Sequence, residues 1–129
     1  MDLKDRVQAA AKDGQLPCAV AHRLAGEWGV TPEELGAAAD AAGVRITRCQ
    51  MGLFGYAPRK GLPGYSVVRP AEHVPDELAA EVRAALVNGR LPCRTAWALA
   101  RRHGLNYRQM GDAVEALGIK VKPCQLGCF

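Results

Sequence analysis

A chain of 129 residues is long enough for one ordinary domain or two very small ones, and its 49% hydrophobic but only 5% aromatic content suits thin, closely packed helices. The formal charge of +4 is uneven: net −1 over residues 1–54, +2 over 55–75 and +3 over 76–129, so an anionic partner would meet the C-terminal half. No stretch reaches the roughly 18 to 20 apolar residues of a membrane span, and Met1–Lys12 lacks a signal-peptide core, so a soluble, cytoplasmic protein without a membrane partner is expected.

The sequence repeats itself. Leu16-Pro17-Cys18 recurs as Leu91-Pro92-Cys93, and Cys49-Gln50-Met51-Gly52 as Cys124-Gln125-Leu126-Gly127, both at an offset of 75. Without a gap from Leu3/Leu78 to Phe54/Phe129, about 20 of 52 positions are identical. Duplication is the simplest cause. It divides the chain into a first repeat (1–54), a Pro/Gly-rich linker or wing (55–75) and a second repeat (76–129).

In chain order, Leu3, Val7 and Ala10 sit at helical spacing, as do Leu78, Val82 and Ala85, the latter after an N-cap at Asp76. Gly14 and Gly89 are expected to close these helices in the left-handed conformation. Pro17 and Pro92 then fit the first position of a second helix, Cys18 to Trp28 and Cys93 to His103. Gly29 and Gly104 end it. A third helix is expected over Pro32–Ala42 and Tyr107–Leu117, capped by Thr31 and Asn106 and closed by Gly43 and Gly118. Each repeat finishes in a strand, Val44–Arg48 and Ile119–Lys122, alternating apolar and basic residues. One strand per repeat needs a partner. Pairing of the two strands about an internal pseudo-twofold axis is expected, with the linker or a second chain as alternatives. Tyr65–Val68 could add a wing hairpin.

Within each repeat, Leu24-Ala25, Gly29-Val30, Leu35 and Ala38, and likewise Leu99-Ala100, Gly104-Leu105, Met110 and Ala113, fall at a telling spacing. It resembles the helix-turn-helix of bacterial transcription regulators. The small Ala lets helices cross closely, and the Gly supplies the turn's positive φ. The fold class implied is mainly α: two tandem three-helix, helix-turn-helix-like units, winged-helix-like in their following strand. The resemblance implies that the third helix meets double-stranded DNA. In the second repeat Asn106, Tyr107, Arg108 and Gln109 would face bases, with Arg94, Arg101, Arg102, Lys120 and Lys122 on phosphates. The first repeat offers Glu33 and Glu34 there, which phosphate repels. A solvated helix face is the plainer reading of all these side chains. A non-enzymatic module that binds another protein, or a second copy of itself, is the alternative to a DNA-binding regulator.

Cys18, Cys49, Cys93 and Cys124 are retained in both repeats. They could be buried apolar side chains. They could hold zinc or an iron–sulfur cluster, together or as one pair per repeat, although no C-x2-C knuckle is present. Cys124 and Cys128 are the only close pair, and Leu53 stands where Cys128 would be in the first repeat. They could also be redox groups, joining Cys18 to Cys49 or Cys93 to Cys124. His22, His73 and His103 are scattered, and no P-loop, nucleophile elbow or metal-protease motif is present, so no enzyme is expected.

Overall fold

Six helices and one two-stranded parallel sheet make up the regular structure of residues 2–129, the part described by the computed structural model. Helix α1 (Leu3–Ala10) opens on Asp2, whose carboxylate accepts the Asp5 N–H at 2.9 Å. It ends at Ala11, three residues before the glycine expected to close it. Asp13 and Gly14 (φ 53° and 71°) instead form the centre of a tight turn that bonds Lys12 to Gln15 at 2.9 and 3.0 Å. Asn88 and Gly89 (φ 52° and 77°) do the same between Val87 and Arg90. Positive φ at both central residues is the signature of the type I′ turn, which favours Asp-Gly and Asn-Gly. The glycines are therefore hairpin residues and not helix caps.

The returning chain forms β1 (Gln15–Pro17) and then α2 (Cys18–Trp28). Pro17, like Pro92, stands one residue before the helix, as its N-cap, at the φ near −61° that its ring imposes. Gly29 (φ 67°) turns the chain into α3 (Pro32–Ala42), whose Thr31 hydroxyl accepts the Glu34 N–H at 3.1 Å. Strand β2 (Arg45–Thr47) closes the first half. The second half follows with α4 (Asp76–Ala84), α5 (Cys93–Arg102) and α6 (Tyr107–Ala116). Asp76 is the first helical residue of α4 and Pro75 its N-cap, one position from expectation.

The strands do not pair with each other. β2 lies parallel to β1, with Leu16 opposite Ile46, and Val121 bridges in parallel to Leu91. The strand expected over Ile119–Lys122 is reduced to that one bridge residue, because its partner segment supplies only Leu91; β2 and Val121 each pair with the segment just before the second helix of their own half. Leu16 and Leu91 fill the core at 1% and 0% exposure. A partner of three residues is too short to show an alternating pattern, which is why it escapes a reading by periodicity. Residues 55–75 contain no helix or strand, so no wing hairpin forms. This segment is strapped to both halves, by Val67 N–H to the Gly52 carbonyl (2.8 Å) and Ala71 N–H to the Asp112 carbonyl (3.1 Å).

One contiguous core joins the halves, with Val7, Leu16, Leu35 and Met51 meeting Val82, Leu91, Met110 and Leu126. The halves touch where the helix backbones are bare. A Cβ added to Gly36 in α3 would be driven into the Leu126 carbonyl, and one added to Gly111 in α6 into the Met51 carbonyl. These two contacts are the same contact made in opposite directions, because 36 and 111, and 51 and 126, each differ by 75. His22 also meets Trp97 (ring centroids 4.4 Å apart) and Phe54 meets Phe129 edge-on (5.5 Å), each position facing its own counterpart. The halves differ in their first helix: α1 packs most on α3, whereas α4 packs on α5, where Glu81 binds Arg102 and His103.

Two predictions follow from this packing. Gly111→Ala overpacks the junction and should cost about 1–3 kcal/mol, lowering Tm by roughly 3–6 °C for each kcal/mol. Gly26→Ala, on the open face of α2 with nothing near its Cβ position, should instead raise stability by about 0.5–1 kcal/mol. Thermal melts of the two variants should move in opposite directions, and a harmless Gly111→Ala would refute the close approach.

The second concerns His22, whose burial against Trp97 pushes its pKa below the ordinary 6.5, helped by Arg94 and opposed by Glu33. The unfolded chain then takes up the proton first as pH falls. The contribution of His22 is complete above the ordinary histidine range and is lost as pH falls through and below it. Between about pH 7.5 and about pH 5.5 the wild type should lose more stability to urea than His22→Gln does; equal losses would remove the assignment.

Candidate functional site

The side chains expected to face bases are engaged within the chain. Asn106 accepts the Gln109 N–H (2.7 Å) while the Gln109 side chain accepts the Asn106 N–H (2.9 Å), a reciprocal cap on α6. Tyr107 stacks on Trp97 with centroids 4.1 Å apart and planes 11° from parallel, and its hydroxyl accepts from Arg101 at 2.9 Å. Arg108 binds Asp112 and the Val67 carbonyl, lying against Gly52, and so clamps the linker onto α6. Asp112 also accepts the Arg69 N–H at 2.8 Å. Of the arginines expected on phosphates, Arg94 pairs with Glu33 across the halves and Arg102 with Glu81 at 3.0 Å. Such exposed pairs are weak, about 0–1 kcal/mol, and a stronger anion could displace them. The Trp97 indole N–H beneath this cluster is buried without a partner.

Lys120 and Lys122 lie elsewhere, exposed on a groove of about 960 Å³ between the two strand segments. One wall is Val44–Ile46 and the other Ile119–Lys122, with Phe54, Leu126 and Phe129 between them. Arg45, Lys60, Arg90, Lys120 and Lys122 supply five cations to its lining, against the carboxylates of Asp40 and Glu115. Arg45 also donates to the Pro58 carbonyl.

Backbone geometry adds to this. In a parallel ladder alternate residues of a strand bond one neighbour and the residues between them point the other way. Arg45 donates to Gly14 at 2.8 Å, and Leu91 donates to Lys120 and accepts from Lys122, both at 2.9 Å. Ile46 and Val121 therefore direct their N–H and C=O groups away from the partner strands. The sequence signal for this groove is the apolar–basic alternation of 44–48 and 119–122.

The cysteines fall into two groups. Cys18 and Cys93 begin α2 and α5, deep in the core, and burial pushes their thiols up to about 12 and about 11. Each faces the Cys-Gln turn of its own half: Cys18 meets the Gln50 backbone N–H, and Cys93 meets that of Gln125, whose side-chain amide also donates to it at 3.5 Å. Cys49 and Cys124 head those turns: Gly52 N–H bonds the Cys49 carbonyl at 2.9 Å, Gly127 N–H bonds the Cys124 carbonyl at 3.1 Å, and Leu126 N–H reaches the Cys124 sulfur at 3.4 Å. The repeated Cys-Gln-x-Gly is thus a tight turn pressed onto a helix start. Burial still raises Cys49. Cys124 is lowered to about 6, because the Cys128 thiol donates to it in addition to the turn's N–H groups.

The four buried sulfurs are close enough to influence one another's charge. No three His, Cys, Asp or Glu among the described residues gather as a set that could hold a metal ion. As arranged, the four thiols do not fit the zinc or iron–sulfur expectation. All five cysteines are free, and Cys128 is the exposed one. Among the described residues no helix is long and apolar enough to cross a membrane. No protein-family model matches the chain, and no curated protein or solved structure matches it either.

Proposed function

We propose that the chain is a non-enzymatic interaction module that receives an extended acidic segment of another protein in the groove between its halves. The module is read as a tandem duplication about a pseudo-twofold axis passing near the His22–Trp97 and Phe54–Phe129 pairs. The reciprocal Gly36–Leu126 and Gly111–Met51 contacts support that symmetry.

The observation that carries the functional reading is the wall structure. Two backbone edges, at Ile46 of β2 and at the bridge residue Val121, line one groove whose lining carries five cations and two carboxylates over an apolar floor. An added strand bonds such an edge through its main chain, and its alternate side chains fill the floor or meet the rim. Acidic side chains on its outward positions match the cations. The aliphatic floor and the edge-on Phe54–Phe129 pair favour such a segment over stacked bases. Duplex DNA through α6, the other reading, would need the Asn106–Gln109 cap, Arg108 and Tyr107 released from their present partners.

Fluorescence anisotropy with a labelled peptide alternating glutamate and valine tests this. The wild type should bind it, and the Lys120→Glu, Lys122→Glu double variant should bind at least about tenfold more weakly, or about 1.4 kcal/mol. A peptide with lysine in place of glutamate should not bind. Equal affinity for both peptides, or wild-type binding by the double variant, removes the groove reading. If instead a mixed-sequence DNA duplex at about 50 mM salt binds more tightly than the acidic peptide, and Arg108→Ala weakens it, the DNA-binding regulator reading replaces this one.

A further inference from the structure

We infer that Cys124 and Cys128 form a thiol–disulfide exchange site, a dithiol at the groove that low-molecular-weight disulfides oxidise to an internal disulfide. The other cysteines lack the arrangement. Cys18 and Cys93 are buried at helix starts, and Cys49 has Leu53 where a second sulfur would stand. Cys128 alone is exposed, lies among the groove-lining residues, and hydrogen-bonds the Cys124 sulfur. A short turn holds the two together: Gly127 N–H bonds the Cys124 carbonyl at 3.1 Å, Cys124 N–H bonds the Phe129 carbonyl at 3.0 Å, and Leu126 N–H reaches the Cys124 sulfur at 3.4 Å.

The chemistry follows from two neighbouring sulfurs on one short turn. The turn's N–H groups and the Cys128 thiol favour a thiolate on Cys124, while the neighbouring negative charge holds the second proton tightly. Passage of the proton from Cys128 to Cys124 puts the charge on the exposed sulfur. The Cys128 thiolate attacks one sulfur of a small disulfide, forming a mixed disulfide and releasing one thiolate, which takes a proton from solvent. Cys124 then loses its proton to solvent and attacks the Cys128 sulfur, expelling the second thiolate, which is protonated in turn. In sum, one cysteine thiolate and one cysteine thiol become a disulfide, while one small disulfide and one proton from solvent become two thiols.

The probe is an aromatic disulfide whose released thiolate absorbs visible light, added to the intact chain. Two equivalents should be released rapidly, and a digest should give a Cys124–Cys128 linked peptide lighter by two hydrogens. Cys124→Ser should release one equivalent and keep the probe on Cys128. Cys128→Leu, which copies the first half, should lose the rapid phase while keeping the wild-type melt. Leu53→Cys should create a second pair with Cys49, and release should rise from two equivalents to four. Absence of the linked peptide, or reaction of Cys18 or Cys93 as fast as Cys128, overturns the inference.

Discussion

Two helices in this protein carry a bare backbone so that a neighbouring carbonyl can lie against them. Gly36 of α3 meets the Leu126 carbonyl and Gly111 of α6 meets the Met51 carbonyl, and any side chain at either glycine would displace the other half. Much of the remaining architecture depends on this mutual approach. It brings the two Cys-Gln turns into one core, sets Phe54 against Phe129, and leaves the segments after α3 and α6 as opposite walls of a single groove. The low aromatic content is the same constraint seen in composition, since bulky side chains would hold the helices apart.

The two halves use shared positions for different chemistry. Arg6 lies over the Trp28 ring, 5.8 Å from its centroid, while Glu81 and His103 occupy the corresponding positions and hydrogen-bond each other. Leu53 in one turn becomes Cys128 in the other, and that single exchange separates a buried inert sulfur from a paired one. The polar residues at the start of α6, which by type alone suit base recognition, are consumed in capping the helix and clamping the linker. Residue type describes what a side chain can bond. The fold decides what it does bond.

Much of the helical layout was legible in the sequence, because its signals are local. The spans Cys18–Trp28 and Pro32–Ala42 and the caps Thr31 and Asn106 rest on periodicity, proline and glycine placement and short polar side chains. Asp13-Gly14 and Asn88-Gly89 carried an equally local signal, that of a type I′ turn, but following a helical stretch they resembled helix ends. The partners of β2 and Val121 were not legible. Leu16 and Leu91 lie about 30 residues from the strands they join, and a parallel pairing of this length leaves no pattern along the chain. The groove was half visible: the alternation at 44–48 and 119–122 identified its walls, but that both edges line one space depends on the tertiary approach of the halves. The Cys124–Cys128 spacing was plain, whereas its distinct chemistry needed the N–H groups of the turn.

The ion pair between Arg94 and Glu33 bears on how the two segments recognise each other. Under the proposed twofold, Ala19 is the counterpart of Arg94, and Arg108 that of Glu33. Two first segments, brought together as separate molecules, would leave Glu33 opposite an alanine. Two second segments would set Arg94 against Arg108, cation against cation. Under that proposed symmetry only the mixed pairing places opposite charges together, so this exposed contact favours unlike partners at a junction whose backbone contacts, Gly36 with Leu126 and Gly111 with Met51, run the same way in both directions.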